Sequence, residues 1–140
     1  MDPINDLAIL KFYENLIKFR LGEFNFVAPG EQVLALGFPS PSSNVHGENI
    51  YISRGIVNSI RNINVSPERV IFIDAKIGRG MSGGPLFNDL GEVIGIITLI
   101  RYGVEQSDKG AIAIGDQPVA LPIHLVRNYL IKHMVSSDKK

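Results

Sequence analysis

The sequence contains no cysteine, and its 14 basic and 14 acidic residues leave no net charge. The first absence excludes disulfides. The second leaves binding to nucleic acid or to a membrane surface without electrostatic support. Long apolar runs are also missing, since the run from Val93 to Ile100 falls far short of the ~20 residues that span a bilayer. No basic segment followed by an apolar stretch opens the chain, so we expect a cytoplasmic protein, unless an N-terminal signal is missing.

A serine set among glycines is the most informative feature that is present, in residues 80–86 (GMSGGPL). Glycines on both sides of Ser82 let the backbone turn sharply and let a substrate carbonyl approach main-chain N–H groups. This pattern is typical of an acyl-transfer nucleophile. The same spacing occurs at the strand-to-helix elbow of α/β-hydrolases, but Pro85 and the turn formers at 88–91 predict a strand after the serine. A purely structural glycine-rich turn is the remaining alternative.

Short apolar runs rich in β-branched residues predict an all-β fold within a single domain of 140 residues. Residues 88–91 predict a hairpin, and 39–49 and 102–110 predict loops. Pro122 suits the first turn of a C-terminal helix, which would place an apolar face towards the core. The predicted strands cover 6–12, 33–38, 50–60, 69–75, 84–88, 92–101 and 111–121, and the helical face comprises Ile123, Val126, Leu130 and Met134.

Four further segments surround the serine motif: DLAILKF, GEQVLALGFP, ISRGIV and GEVIGI, at 6–12, 30–39, 52–57 and 91–96. Together they resemble the trypsin-like serine proteases of the HtrA (Deg) type, from about residue 6 to about residue 130. The resemblance implies a trypsin-like double β-barrel (chymotrypsin fold), of which this chain holds mainly the second barrel plus a C-terminal helix. The implied partial protease domain, 1–135, consists of 6–12 (the last part of the first barrel), 30–121 (the second barrel) and 122–134 (the helix), with 136–140 as a polar tail.

The resemblance also implies roles for individual residues in endoproteolysis through an acyl-enzyme. Ser82 would be the nucleophile and Asp6 the acid that orients a histidine, while the N–H groups of Gly80 and Ser82 would form the oxyanion hole. Asp74 matches another aspartate of the family, and we interpret it as structural. No cofactor is implied, and the implied partner is a polypeptide substrate.

The general base of the family, a histidine, is the catalytic residue for which this sequence has no matching position. The family places its histidine before the strand that Asp6 opens, and residues 1–5 contain none. His124 and His133 fall on the predicted helix, which the family places away from the cleft, and His46 lies in a loop without signs of placement as a base. No pair of histidines has the spacing of a zinc site, so no metal is expected.

Two residues near Ser82 depart from the family pattern. Met81 stands where the family carries Asn or Asp, so the turn is expected to lose polar support. The resemblance places Lys76 at the floor of the primary specificity pocket, and we also assign Thr98 to that substrate pocket. The Lys76 ammonium would favour acidic substrate side chains if it faced the pocket, or it would extend into solvent and leave an aliphatic preference.

Two functions fit the sequence: a serine endopeptidase domain that is inactive as an isolated chain because it lacks the catalytic histidine, and a non-catalytic domain that keeps the cleft as a peptide-binding surface. The hydrophobic content of 45% has two explanations. Either a missing first barrel leaves apolar surface uncovered, or the core is unusually rich in Ile and Val. An uncovered apolar surface would also favour homo-oligomers.

Overall fold

The computed structural model describes residues 7–10, 18–40, 49–63, 66–101, 104–107, 110–113 and 116–137. Six strands close into a barrel, and two further strands pair as a separate hairpin. An all-β fold with a C-terminal helix is thus confirmed. The elements are a 3-10 helix (Phe24–Phe26), β1 (Gln32–Gly37), β2 (Tyr51–Ile63), β3 (Ser66–Ile73), β4 (Pro85–Phe87), β5 (Val93–Arg101), β6 (Val104–Ser107), β7 (Gly110–Ala113), β8 (Asp116–Pro122) and the helix α1 (Ile123–Ser137). The strand order around the barrel is β1, β2, β3, β8, β5 and β4, and the separate hairpin consists of β6 and β7.

Two apolar clusters fill and cover the barrel, and β3 contributes to both. Its residues 70–73 are all less than 5% exposed, with Phe72 at 4% the most accessible. Because successive strand residues point to opposite faces, Ile71 and Ile73 enter the barrel core while Val70 and Phe72 join a second cluster. That cluster also contains Leu7, Val119, Leu121 and Tyr129. Burial on both faces explains why this strand is a continuous apolar run.

Three sequence predictions differ from the structure at element level. The predicted loop 102–110 contains part of a hairpin, in which Val104 pairs with Ala113 and Ser107 with Gly110, so the predicted strand 111–121 is divided between β7 and β8. The backbones of β6 and β7 pair although residues 104–107 lack an alternation of apolar and polar residues. Pro122 ends β8 opposite Gly95, and the helix begins one residue later. Residues 7–10 form no strand within the described part of the chain, whereas 6, 11 and 12 lie outside it.

The buried face of α1 also differs in part from the predicted one. Ile123 is 1% exposed and Val126 packs against both clusters, as the pattern indicated. Leu125 and Tyr129 are buried too, at 8% and 9%, whereas Leu130 is only half-buried. The helix therefore presents a wider apolar face than the predicted stripe. Within the described residues, no helix is long and apolar enough to cross a membrane.

A carboxylate holds the end of β3 against β2. Asp74 Oδ1 accepts a hydrogen bond from the Ile56 N–H at 2.6 Å, and the Asp74 N–H donates to the Ile56 carbonyl at 3.2 Å. Gly55 leaves room for this contact, because a Cβ there would lie 2.5 Å from both Asp74 Oδ1 and the Ala75 nitrogen. These contacts agree with the structural role predicted for Asp74.

Outward residues of β1 and β2 form an exposed apolar surface. The register places Leu36 opposite Ile52 and Leu34 opposite Arg54, and Ile52 is 56% exposed. We call this surface the apolar face; it comprises the exposed Phe38, Ile50, Ile52 and Ile56 and the half-buried Leu34 and Leu36. Antiparallel sheets with one face exposed to solvent normally carry polar residues on that face. The apolar residues of the chain lie both in a core rich in Ile and Val and at exposed positions of this surface; a missing first barrel as the reason for the exposure stays a prediction.

Substituting Gly55→Ala should lower the free energy of unfolding by about 2 kcal/mol or more, because backbone atoms surround the new methyl group. Gly78→Ala is the matched control: the nearest atom to its Cβ would be Pro39 Cβ at 3.4 Å, an ordinary contact. Urea denaturation measures the free energy of unfolding of both variants. Equal midpoints for the two variants would contradict the assigned packing.

The apolar face should make the 140-residue chain self-associate. Ile52→Lys is expected to shift the population towards monomer in light scattering, because a charge would then have to be buried on association. Ile131→Lys, at a helix position that is 62% exposed, should leave the distribution unchanged. A monomeric native chain at high concentration would show that this face is a stable solvent surface.

Candidate active site

Ser82 lies in the segment that joins β3 to β4, and backbone hydrogen bonds define its conformation. Gly80 and Gly83 on either side have φ angles of +93° and +90°, a region that glycine adopts readily and other residues rarely do. The Met81 N–H donates to the Gly78 carbonyl at 3.2 Å, and the Gly84 N–H donates to the Met81 carbonyl at 3.0 Å. The two turns leave the serine side chain exposed. The glycines that suggested a nucleophile are thus required by the backbone.

Two hydrogen bonds attach the serine segment to β5. The Gly83 N–H donates to the Ile97 carbonyl, and the Ile97 N–H donates to the Gly84 carbonyl, each at 2.8 Å. Ile97 is fully buried in the barrel core. A Cβ on Gly84 would overlap the Leu36 carbonyl oxygen of β1. The serine is therefore held by the barrel wall and not by a free loop.

A third contact sets the peptide unit between Arg79 and Gly80. The Ser40 N–H donates to the Arg79 carbonyl at 2.6 Å. In a trans peptide the C=O and N–H point in opposite directions, so the Gly80 N–H points away from Ser40. A Cβ at Gly80 would lie 2.6 Å from the Ser40 nitrogen. Sequence reasoning missed Ser40, and no signal would have revealed it, because its contribution is a backbone N–H.

Gly80 and Ser82 line one cavity of about 480 Å³. Within the described residues, neither of their N–H groups donates a hydrogen bond. Two unused N–H groups beside a serine hydroxyl are the parts from which an oxyanion hole is built. Apolar side chains form the remaining walls of the cavity; they belong to Phe19, Leu36, Phe38, Ile50 and Pro85.

Met81 takes part in the turn through its sulfur. The Gly78 N–H donates to Met81 Sδ at 3.3 Å, and the side chain is 1% exposed. The sequence predicts that methionine leaves the turn without polar support, whereas in the structure the thioether serves as a weak acceptor. Gly37 makes room for it, because a Cβ there would lie 2.9 Å from Met81 Cβ.

A second cavity joins the serine to the segment that follows Asp6. Leu7, Ala8, Ser82 and Thr98 line this space of about 340 Å³. Asp6 itself lies outside the described residues, so its role as the orienting acid stays a prediction. The placement of the next two residues beside Ser82 supports that prediction.

The structure brings Thr98, but not Lys76, into a cavity with Ser82. Lys76 is exposed and lines a separate space of about 270 Å³ with Pro39, Tyr51 and Met81. Met81 lies between this space and the cavity at Ser82, since it lines both. A substrate pocket formed jointly by Lys76 and Thr98 therefore stays a prediction.

The two histidines that the structure describes lie on α1. His124 packs its ring 4.7 Å from that of Phe24, and His133 packs 4.4 Å from Tyr129. Neither lines the two cavities that contain Ser82, and His46 lies outside the described residues. Across the described ranges, no group of three or more His, Asp or Glu side chains is placed to hold a metal ion.

Comparison with known proteins agrees with this arrangement. Residues 1–96 match the family model for the trypsin-like peptidase domain. The chain is 40% identical over 98 residues to a DegP-like periplasmic serine endoprotease of Marinomonas sp. (strain MWYL1), covering 68% of this chain and 20% of that protein. It is 34% identical over 132 residues to the periplasmic serine endoprotease DegP of Salmonella typhimurium, covering 91% of this chain and 25% of that protein.

Solved structures show the same likeness. The HtrA-type protease AlgW, determined with a decapeptide, superposes with a TM-score of 0.68 at 32% identity, covering 94% of this chain and 39% of that one. The fold and the serine motif define a trypsin-like serine peptidase domain. The chain belongs to the trypsin-like peptidase family, and its resemblance to the HtrA (Deg) type is confirmed. It spans 20–25% of the length of the two DegP relatives.

The expected cytoplasmic location is wrong. The DegP relatives from Marinomonas, Buchnera and Salmonella are periplasmic proteins by name. The absence of cysteine from the sequence does not distinguish the two compartments.

Replacing Met81 with leucine should remove the sulfur acceptor while keeping the apolar volume. A hydrogen bond contributes about 1 kcal/mol to stability, and a hydrogen bond to sulfur contributes less. We therefore expect the Gly78 amide proton to exchange with solvent severalfold faster in the variant. The Gly83 amide, which donates to Ile97, is the internal control. An unchanged rate at Gly78, or an equal change at Gly83, would contradict the role of the sulfur.

Proposed function

We propose that this chain is the Ser82-bearing part of an endopeptidase that cleaves peptide bonds through an acyl-enzyme. Ser82 is the nucleophile, the N–H groups of Gly80 and Ser82 hold the oxyanion, and Asp6 orients the histidine of a complete enzyme. One observation carries the proposal: Gly80 and Ser82 line one cavity, and within the described residues neither of their N–H groups donates a hydrogen bond. Removing a single donor from such a hole typically costs about 3 kcal/mol of transition-state stabilisation.

The proton-transfer step needs a histidine that the described cavities do not contain. His124 and His133 pack against aromatic rings on α1, and residues 1–5 include no histidine. Without a base the Ser82 hydroxyl keeps its ordinary weak nucleophilicity. We therefore propose that the 140-residue chain does not turn over substrate alone.

A polypeptide is the proposed ligand of the cleft. AlgW was solved with a decapeptide and with a tripeptide, and the cavity at Ser82 in this chain is large and apolar. The same cavity supports the second function, a non-catalytic peptide-binding domain, because it needs neither a base nor an activated serine. Self-association and the division into parts of two barrels remain proposals.

The 140-residue chain should show no cleavage of casein and no labelling by a fluorophosphonate probe, because loss of a triad member lowers kcat by about 10⁴ to 10⁶. Intact-mass spectrometry measures labelling, with Ser82→Ala as the background control. Stoichiometric labelling that disappears in Ser82→Ala would overturn the proposed inactivity. A His46→Ala variant would then identify or exclude His46 as the base.

A further inference from the structure

We propose that Arg127 of α1 is a positioning residue for the cavity at Ser82, and that it acts on this cavity through Phe19. Phe19 lines the cavity, whereas Arg127 lies on the helix that follows β8 and does not line it. The proposal rests on the peptide-binding function proposed above. It adds a residue outside the cavity that controls the shape of the site.

Phe19 forms part of the cavity wall, although few contacts hold its own side chain. The residue is 61% exposed, and its ring contacts Phe87 of β4 edge-on, with 5.2 Å between the ring centroids. Such an aromatic pair adds only a small stabilisation, so the position of Phe19 depends mainly on the backbone that follows it. With Leu36, Phe19 also lines a neighbouring cavity of about 470 Å³ that extends to Asn88. A displaced ring would widen the cavity at Ser82 towards this second space.

The backbone that follows Phe19 is attached to β5. The Arg20 carbonyl accepts a hydrogen bond from the Val93 N–H at 2.8 Å, and the Gly22 N–H donates to the Val93 carbonyl at 2.9 Å. Leu21, between them, forms a parallel bridge with Val93. We call residues 20–22 the bridging segment. Two hydrogen bonds are a short attachment, because each contributes little net free energy.

Arg127 supplies a second attachment of the bridging segment. Its Nη2 donates to the Leu21 carbonyl at 2.9 Å and to the Gly22 carbonyl at 3.1 Å. Hydrogen bonds from a charged donor are roughly twice as strong as neutral ones. Nη2 also lies 3.2 Å from Glu23 Oε1, but these two side chains are 37% and 58% exposed, and exposed ion pairs contribute little. Arg127 therefore acts on the main chain of the segment.

The helix gives this arginine a rigid base. Val126, the preceding residue, packs against both apolar clusters, and Leu125 and Tyr129 are buried on either side. Packed interiors resist displacement, so the guanidinium extends from a fixed backbone. The bridging segment, and with it Phe19, is therefore placed by both β5 and α1.

Amide hydrogen exchange on the ¹⁵N-labelled 140-residue chain tests the attachment. Arg127→Met keeps an apolar stem and removes the donors. The Gly22 and Val93 amide protons should then exchange about tenfold faster, because the charge-assisted bonds to the bridging segment are lost. The Gly83 amide proton, which belongs to the serine segment, should exchange at its native rate. An unchanged rate at Gly22 would overturn the proposal.

Two further variants separate the carbonyl contacts from the loss of charge. Arg61→Met removes an exposed guanidinium that lies over the Phe72 ring. Glu23→Gln removes the ion pair and leaves the donors of Arg127 in place. Both variants should leave the exchange rate at Gly22 unchanged. A change in either of them as large as that in Arg127→Met would contradict a role of the carbonyl contacts.

A double-mutant cycle tests the action through Phe19, with binding of fluorescein-labelled casein followed by fluorescence anisotropy. Phe19→Ala should weaken binding about fivefold, because an aromatic wall of the cavity is lost. Arg127→Met should weaken it to a similar extent. In the Phe19→Ala background, Arg127→Met should cause no further loss, because the side chain that it positions is absent. Additive losses would overturn the inference, since a merely structural arginine would weaken binding in both backgrounds.

Gly22→Ala perturbs the bridging segment by an independent route, because its Cβ would lie 3.0 Å from Ile94 Cγ2 of β5. It should reproduce both effects of Arg127→Met, and it decides the question even if that variant fails to fold. A native chain that binds no casein would reject the proposed peptide binding. The exchange rate at Gly22, which needs no ligand, would still confirm or overturn the attachment by Arg127.

Discussion

The pair of hydrogen bonds between Ile97 and the Gly83–Gly84 backbone is the interaction on which the site depends. It joins the residues directly after Ser82 to a strand whose side chains form the barrel core. Both bonds measure 2.8 Å, and the approach is so close that Gly84 has no space for a Cβ beside the Leu36 carbonyl. The position of the serine therefore depends on the integrity of the barrel. A substitution that disturbs the barrel near Ile97 would displace Ser82 as well.

The other side of the serine is fixed by a different kind of contact. Ser40 and Met81 act on the segment before Ser82 through a backbone N–H and a sulfur atom. Neither contact carries charge, so salt and pH within the folding range have little direct influence on them. The orientation of the Gly80 N–H thus relies on packing around the buried Met81 and on the loop that contains Ser40.

The sequence predicted the serine motif and the barrel well, because both depend on local patterns. Glycines with positive φ at 80 and 83 and the runs of β1 and β5 are constraints that residue types reveal directly. The hairpin of β6 and β7 was missed, since backbone pairing there does not require apolar alternation. The contacts of Ser40 and Met81 were also not predictable: one uses a main-chain group that every residue except proline has, and the other uses an acceptor in a residue normally regarded as apolar.

Two charges develop during catalysis by a serine peptidase, and different groups stabilise each of them. In the proposed mechanism, the backbone N–H groups of Gly80 and Ser82 stabilise the negative charge of the oxyanion; both residues lie in the described part of the chain, and their N–H groups need no ionisable partner. The positive charge that a histidine acquires needs a carboxylate, and no carboxylate lines the described cavities at Ser82. That role would fall to Asp6, just before the Leu7 and Ala8 that reach the second cavity. In the proposed mechanism, the groups that stabilise the oxyanion are therefore not the groups that transfer the proton.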